Sequence, residues 1–274
     1  MWGLVSNFTG VDWKDPLEIS YFFVCVTFCV VCLLANRVNL PFLHRQGGLL
    51  TYSKFAADVK FGVDISSQWG MALLYWPSML LGAYFLSQSR GNNNISAEGS
   101  SQDPSARRAA LMILHFGKRT AECLFLHKYS GTMPLSSSMF ITCFYLFTTF
   151  GVCFFSAKQD LASFTDVGLT LFYLGQTGNY YHHSLLANLR KQGDKEYKVP
   201  TGGLFEYVAA PHYLFEIISW VGVSLVCQHV LVALAVLGMT IYLSDRAIGQ
   251  SKWNRENLKD KYPAHRKHLV PFLF

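Results

Sequence analysis

The stretch GNYYHHSLLANLRK, residues 178–191, places Asn179, His183 and Arg190 at offsets of four and seven. On a helix these side chains share one face, while His182 points elsewhere. A second stretch, PHYLFEIISWVG (211–222), puts His212, Glu216 and Trp220 on one face by the same spacing. A third, LHFGKRTAECLFLHK (114–128), carries Lys118, Arg119, Glu122, His127 and Lys128. Two chemistries are open to these groups. Asn and His can bond neighbouring helices to one another, with Lys118 neutralising Glu122 and with Glu216 pairing to His212 or to a basic group of 178–191. Alternatively Arg119, His127, Lys128, Arg190, Lys191, Lys198 and Arg246 converge on a ligand with several phosphates. A dinucleotide with an extra 2′-phosphate is the natural candidate.

The elements that carry these groups are apolar. The chain has 274 residues, 51% hydrophobic and only 15% charged, well below the roughly 25% charged residues of soluble domains. Runs approaching the ~20 residues needed to cross a bilayer fall at about 18–36, 68–88, 108–126, 138–157, 165–189, 208–226 and 228–245. The expected fold is an all-α, polytopic membrane protein of about seven transmembrane helices, in one domain over 1–274. An ionisable residue inside such a span costs about 2.5–3.5 kcal/mol even on insertion scales, so each is a functional candidate. The segment 87–108 is rich in Ser, Asn and Gly and reads as a disordered loop.

Sixteen of the 23 Lys and Arg residues fall in the connections after the first, third, fifth and seventh spans. By the positive-inside rule the N-terminus is lumenal and the 246–274 tail cytosolic. Two acceptor tripeptides, Asn7-Phe-Thr and Asn94-Ile-Ser, lie on the same lumenal side. The acidic residues ahead of the first span argue against a cleaved signal peptide.

Other chemistries are set aside. The seven cysteines all sit in apolar runs and read as packing residues, with Cys25, Cys29 and Cys32 in a helical stripe. No metal is expected, because His182-His183 has no matching histidine clusters. No G-x-G-x-x-G follows a strand, which excludes a Rossmann domain. The net charge of +6 suits anionic lipid or a phosphorylated ligand; neither nucleic acid nor an obligate protein partner is indicated.

From about residue 110 the sequence resembles the steroid 5α-reductase superfamily, with its enoyl-CoA and polyprenol reductase branches. The matching pieces, in order, are Asn179, His183, Arg190 and Lys191; Tyr197-x-Val-Pro-x-Gly-Gly-Leu-Phe-Glu-Tyr-Val; Tyr213, Glu216 and Trp220; and YP-x-x-RK-x-x-x-PF-x-F at the end. HFGKRTAECLFLHKYSGTMP looks most like the enoyl-CoA reductases, whereas GGLFEYV and the closing residues look like the steroid branch. Enoyl-CoA reductases carry a Tyr where this chain has Phe215, and an N-terminal ubiquitin-like domain for which the residues before the first span leave no room. The reading therefore leans to a plant-like steroid reductase.

The resemblance implies a seven-helix oxidoreductase of the endoplasmic reticulum membrane that holds NADPH in a cytosol-facing cavity between helices. It implies reduction of a C=C bond conjugated to a carbonyl, with a 3-oxo-Δ4-steroid giving its 5α form as the first substrate and trans-2-enoyl-CoA or a polyprenol as alternatives. A methyltransferase of the isoprenylcysteine type is a more distant alternative. Glu216 is expected to hold the nicotinamide carboxamide. Asn179, Arg190, Tyr197 and Arg246, helped by Arg119, His127 and Lys128, are expected to hold ribose, phosphates and adenosine. Steroid reductases grip the substrate carbonyl with a Glu and a Tyr, and those positions are Tyr75 and Phe116 here. Tyr75 is thus the first candidate donor to the carbonyl oxygen, with His183, His212 and Tyr213 as the others. A lipophilic substrate, steroid or acyl chain, would enter from the surrounding lipid. The tail is expected to edge the cofactor cavity, VPFLF docking among helix ends and Arg266 and Lys267 facing phosphates or lipid head groups.

Overall fold

The computed structural model describes residues 11–38, 63–93, 103–129, 131–155, 162–189 and 197–274. Seven long helices appear among them: α1 (Pro16–Val38), α2 (Ser67–Asn93), α3 (Pro104–Ala121), α4 (Leu135–Phe154), α5 (Ala162–Asn188), α6 (Pro211–Cys227) and α7 (Val230–Leu258). Each overlaps one of the seven apolar runs. α1, α2, α4 and α7 are long and apolar enough to cross a membrane, and α6 is apolar but shorter, at 17 residues. The chain is an all-α membrane protein. α3 and α5 depart from the purely apolar pattern because they carry the polar residues on which the site is built.

Helix ends follow local chemistry. Asp103 caps α3, its carboxylate accepting from Ser105 N at 2.9 Å, and Pro104 occupies the first turn, where its missing N–H costs nothing. The region read as disordered, 87–108, is helical at both ends: α2 runs on to Asn93 and α3 begins at Pro104, while 94–102 lies outside the described residues. The seventh helix likewise outruns its apolar stretch by three turns. Polar side chains close bonds along it, Gln250 Nε2 to Asn254 Oδ1 and Asn257 Nδ2 to Trp253 O, so the helix persists without apolar packing on every side.

Two small elements have no signal in the sequence. A two-stranded antiparallel ribbon pairs β1 (Asp64–Ser66) with β2 (Thr132–Pro134), Ile65 opposite Met133, and ties the start of α2 to the start of α4. At the end of α3, Glu122–Leu126 forms a single π-helical turn, closed by His127 N bonding Glu122 O at 2.8 Å. Such wide turns concentrate at functional sites.

α5 and α6 make the most extensive helix pair, and glycines explain why. A Cβ on Gly222 would lie 2.5 Å from Gly168 O, and one on Gly175 would strike the backbone at Ser219. Side chains at these positions would push the helices apart; small residues let the backbones touch. This close seam brings the polar faces of α5 and α6 together. α2 and α3 pack beside them, burying Leu74, Met112, Phe116, Phe172 and Trp220 in one core.

The tail docks on the segment before α6. Lys267 N bonds Tyr207 O at 2.8 Å, Ala209 N bonds Lys267 O at 2.9 Å, and Leu269 is buried against Ala210 and Ala247. Arg266, expected to face phosphates or lipid, is instead 2% exposed. Its guanidinium donates to Pro200 O at 2.8 Å and faces Glu206 at 3.5 Å. A cation this deeply placed needs those protein acceptors. The end of the tail divides: Leu269 is docked, whereas Phe272 and Leu273 are exposed.

Candidate functional site

α3 supplies the centre of the site. Glu122, in the π turn, is 2% exposed and takes three partners. Its Oε2 accepts from Arg119 and lies 3.0 Å from His183 Nδ1; its Oε1 faces Lys118 Nζ at 3.2 Å, an ion pair outside hydrogen-bond geometry. Arg119 also reaches His183 Nδ1 at 2.8 Å and donates to Tyr75 Oη on α2 at 2.9 Å. Lys118 Nζ donates to Asn179 Oδ1 on α5, and Asn179 Nδ2 donates to the carbonyl of His212 at 2.9 Å. Four helices are therefore cross-linked by one buried polar network. The rings of His127 and His212 lie 5.0 and 5.4 Å from that of His183.

A second carboxylate sits in the same bundle. Glu216 Oε1 lies 3.3 Å from His115 Nε2 and accepts from Trp220 Nε1 at 3.3 Å. His115 Nδ1 is 2.8 Å from Gln176 Nε2, which also donates to Ser219 Oγ at 2.6 Å. Lys118 and Arg119 balance Glu122 and Glu216 in formal charge, a condition for burying four ions in one bundle. Beside the polar groups stands an aromatic wall. Tyr75 and Phe116 lie 6.4 Å apart, Tyr145 is 5.5 Å from Tyr75 and 5.3 Å from Phe116, and Trp220 is 6.0 Å from Phe116.

The structure thus brings together Tyr75, Arg119, His127, Asn179, His183, His212 and Glu216. Lys128 is exposed, two residues beyond the π turn. Tyr213 packs its ring 4.3 Å from that of His212 and leans on the docked tail. Tyr197 sets its ring 4.6 Å from Trp253 of α7, and Arg246 precedes Ala247, the α7 residue beneath Leu269. Arg190 lies outside the described residues. His182, on the other side of α5, accepts from Leu204 N at 3.1 Å and stacks on Phe215 at 5.1 Å.

Glu216 pairs with His115 of α3, and not with His212 or a base of α5. His115, Gln176 and Ser219 were not among the expected residues, although the signal was there. Gln176 extends the Asn179–His183 stripe by three residues, and Ser219 lies three beyond Glu216. Glu122, expected only as a neutraliser of Lys118, is the hub of the network. Glu122, His127 and His183 also present ligand atoms within 4.8 Å of one another. The Arg119 guanidinium already binds two of the three, so the protein itself supplies a cation there.

The geometry meets matching sequence relationships. Residues 130–274 match the family described as 3-oxo-5-alpha-steroid 4-dehydrogenase. A 3-oxo-5-alpha-steroid 4-dehydrogenase 1 of Macaca fascicularis is 31% identical over 260 residues, covering 91% of each chain. A very-long-chain enoyl-CoA reductase of Dictyostelium discoideum is 35% identical over 176 residues, 61% of this chain and 58% of that protein. A steroid 5-alpha-reductase of Gossypium hirsutum is 37% identical over 111 residues, covering 39% of this chain and 42% of that protein.

Proposed function

This chain belongs to the 3-oxo-5-alpha-steroid 4-dehydrogenase family, and from that premise we propose that it is an NADPH-dependent reductase of a C=C bond conjugated to a carbonyl. A 3-oxo-Δ4-steroid is the preferred substrate. The observation that carries the reading is the buried network in which Tyr75, Arg119, Glu122, Lys118, Asn179 and His183, with the carbonyl of His212, link four helices of a membrane protein. Burying so many charges is costly even when they are paired, so a functional role is the default reading of the arrangement.

The residues fit a pyridine nucleotide on two counts. Glu216 Oε2 accepts none of the hydrogen bonds described, so it is available to an amide N–H such as a carboxamide offers. His212 Nδ1 is buried without a hydrogen-bond partner, beside Asn179 and His183. In this reading Glu216 holds the nicotinamide end and Asn179, Arg119 and His127 the ribose and phosphate end, with Lys128, Arg190, Tyr197 and Arg246 assigned to the outer portion.

Bound NADPH supplies hydride to the β-carbon of the enone. Charge then develops on the carbonyl oxygen, and a preorganised donor there is worth a few kcal/mol. Tyr75 takes that role: its phenol is neutral, is fixed by Arg119, and lies in the aromatic wall with Phe116, Tyr145 and Trp220. The resulting enolate, held by Tyr75, would take a proton from water at the α-carbon to give the saturated ketone. A flat, apolar substrate matches the ring-lined side, and the carbonyl matches the polar side.

The 35% identity to an enoyl-CoA reductase favours a second reading, reduction of a trans-2-enoyl thioester. The same donor and hydride geometry serve both. We place the protein in the endoplasmic reticulum membrane with its N-terminus lumenal, which glycosylation at Asn7 or Asn94 would test. Membranes containing the protein, supplied with NADPH deuterated at C4, should yield 3-oxo-5α-steroid carrying deuterium on the former β-carbon. Label in the saturated thioester alone would select the second reading; label in neither would defeat both.

A further inference from the structure

Glu216 has one engaged oxygen and one open one, and the residues behind it explain the difference. Trp220 Nε1 donates to Oε1 at 3.3 Å, and His115 Nε2 faces the same oxygen at 3.3 Å, outside hydrogen-bond geometry. The far side of the imidazole is fixed by Gln176, whose Nε2 lies 2.8 Å from His115 Nδ1 and 2.6 Å from Ser219 Oγ. An amide nitrogen only donates. His115 Nδ1 must therefore accept, and the proton of a neutral imidazole is left on Nε2, facing Glu216. The opposite orientation of the amide is worse. It would leave two N–H groups buried and unbonded, where the observed one leaves only the carbonyl Oε1.

The geometry points to Gln176 as a positioning residue for the reaction: with Ser219 it sets the tautomer of His115, which turns an N–H towards one oxygen of Glu216 and leaves the other for the nicotinamide carboxamide. This rests on the role given to Glu216 above. The close α5–α6 seam makes the arrangement possible, because Gly175, next to Gln176, lets the α5 backbone meet Ser219 without an intervening side chain. With the other tautomer a lone pair on Nε2 would face the carboxylate, and Glu216 would turn away.

The test uses the full chain in lipid nanodiscs, titrated with NADPH by cofactor fluorescence and assayed for turnover. Gln176→Leu should raise the NADPH dissociation constant about tenfold while kcat at saturating cofactor changes less than about threefold. Gln176→Glu offers an acceptor in place of a donor and so forces the proton onto Nδ1. Its affinity should be poor at pH 8 and recover as pH falls, because a protonated imidazole donates from both nitrogens. His115→Gln, which restores an N–H towards Glu216, should bind NADPH nearly as the wild type does. Unchanged affinity in Gln176→Leu, or a Gln176→Glu defect that is the same at every pH, would overturn the positioning role alone. Wild-type protein that binds no NADPH would overturn the parent reading and this one with it.

Discussion

Two buried carboxylates lie in the same helical bundle and are treated differently. Glu122 is enclosed by Lys118, Arg119 and His183, with hydrogen-bond partners on one oxygen and an ion pair to Lys118 on the other. Glu216 is approached by His115 and Trp220 on a single oxygen. The first is built as the keystone of a charge network, and the second as an acceptor with capacity to spare. The difference lies in the second oxygen: that of Glu122 faces the Lys118 ammonium, whereas that of Glu216 accepts none of the hydrogen bonds described.

Breaking the first should be the more damaging. Glu122→Ala strips the counter-charge from Lys118 and Arg119, and uncompensated buried ions cost about 3–5 kcal/mol. The variant should show a markedly lower melting temperature in detergent and poor recovery from membranes; wild-type melting would remove Glu122 from its central place. Tyr75→Phe, which acts through the same network, leaves Arg119 its bonds to Glu122 and His183. Turnover should fall about a hundredfold, as for loss of one preorganised donor, with NADPH affinity unchanged. Glu216→Gln sharpens the contrast from the other side. It keeps the shape and should hold its melting temperature within a few degrees, while NADPH binds about tenfold more weakly by fluorescence titration.

The smallest effect concerns the tail, away from both carboxylates. Burial, together with the nearby Arg255 and Lys267, holds the His268 imidazole below its ordinary value. Its folded form therefore binds protons less readily than its unfolded form. Tail docking is at full strength above about pH 6.5, the unfolded value, and weakens as pH falls below it. Proteolysis at the tail should accelerate modestly from pH 7 to pH 5.5, and His268→Asn should flatten that profile.

Helices α1, α2, α4, α6 and α7 were legible as apolar runs, a strong signal in a membrane protein, whereas α3 and α5 showed it more weakly because polar residues interrupt them. The stripe through Asn179 and His183 was legible for a related reason: spacing alone assigns residues to a face. Partnership was not. That Glu216 meets His115 depends on how closely α3 approaches α6, and the α5–α6 glycines that govern the seam look unremarkable one at a time. The fate of Arg266 was hidden likewise, since its acceptors, Pro200 and Glu206, lie some 60 residues away. The extended α7 was missed because apolar content marks where a span ends and not where a helix does.

The π turn at Glu122–Leu126 has a further consequence. Successive residues on an α-helix advance by about 100°, so a turn holding one surplus residue shifts everything after it out of phase with α3. Lys118, Arg119 and Glu122 look along the α3 frame, whereas His127 belongs to the displaced frame and is brought round to His183. Removing a single residue from Cys123–Leu126 would put the two frames back in step. It would swing His127 off its neighbour while sparing the apolar length of the helix, so a one-residue indel here is a change of aim and not of span.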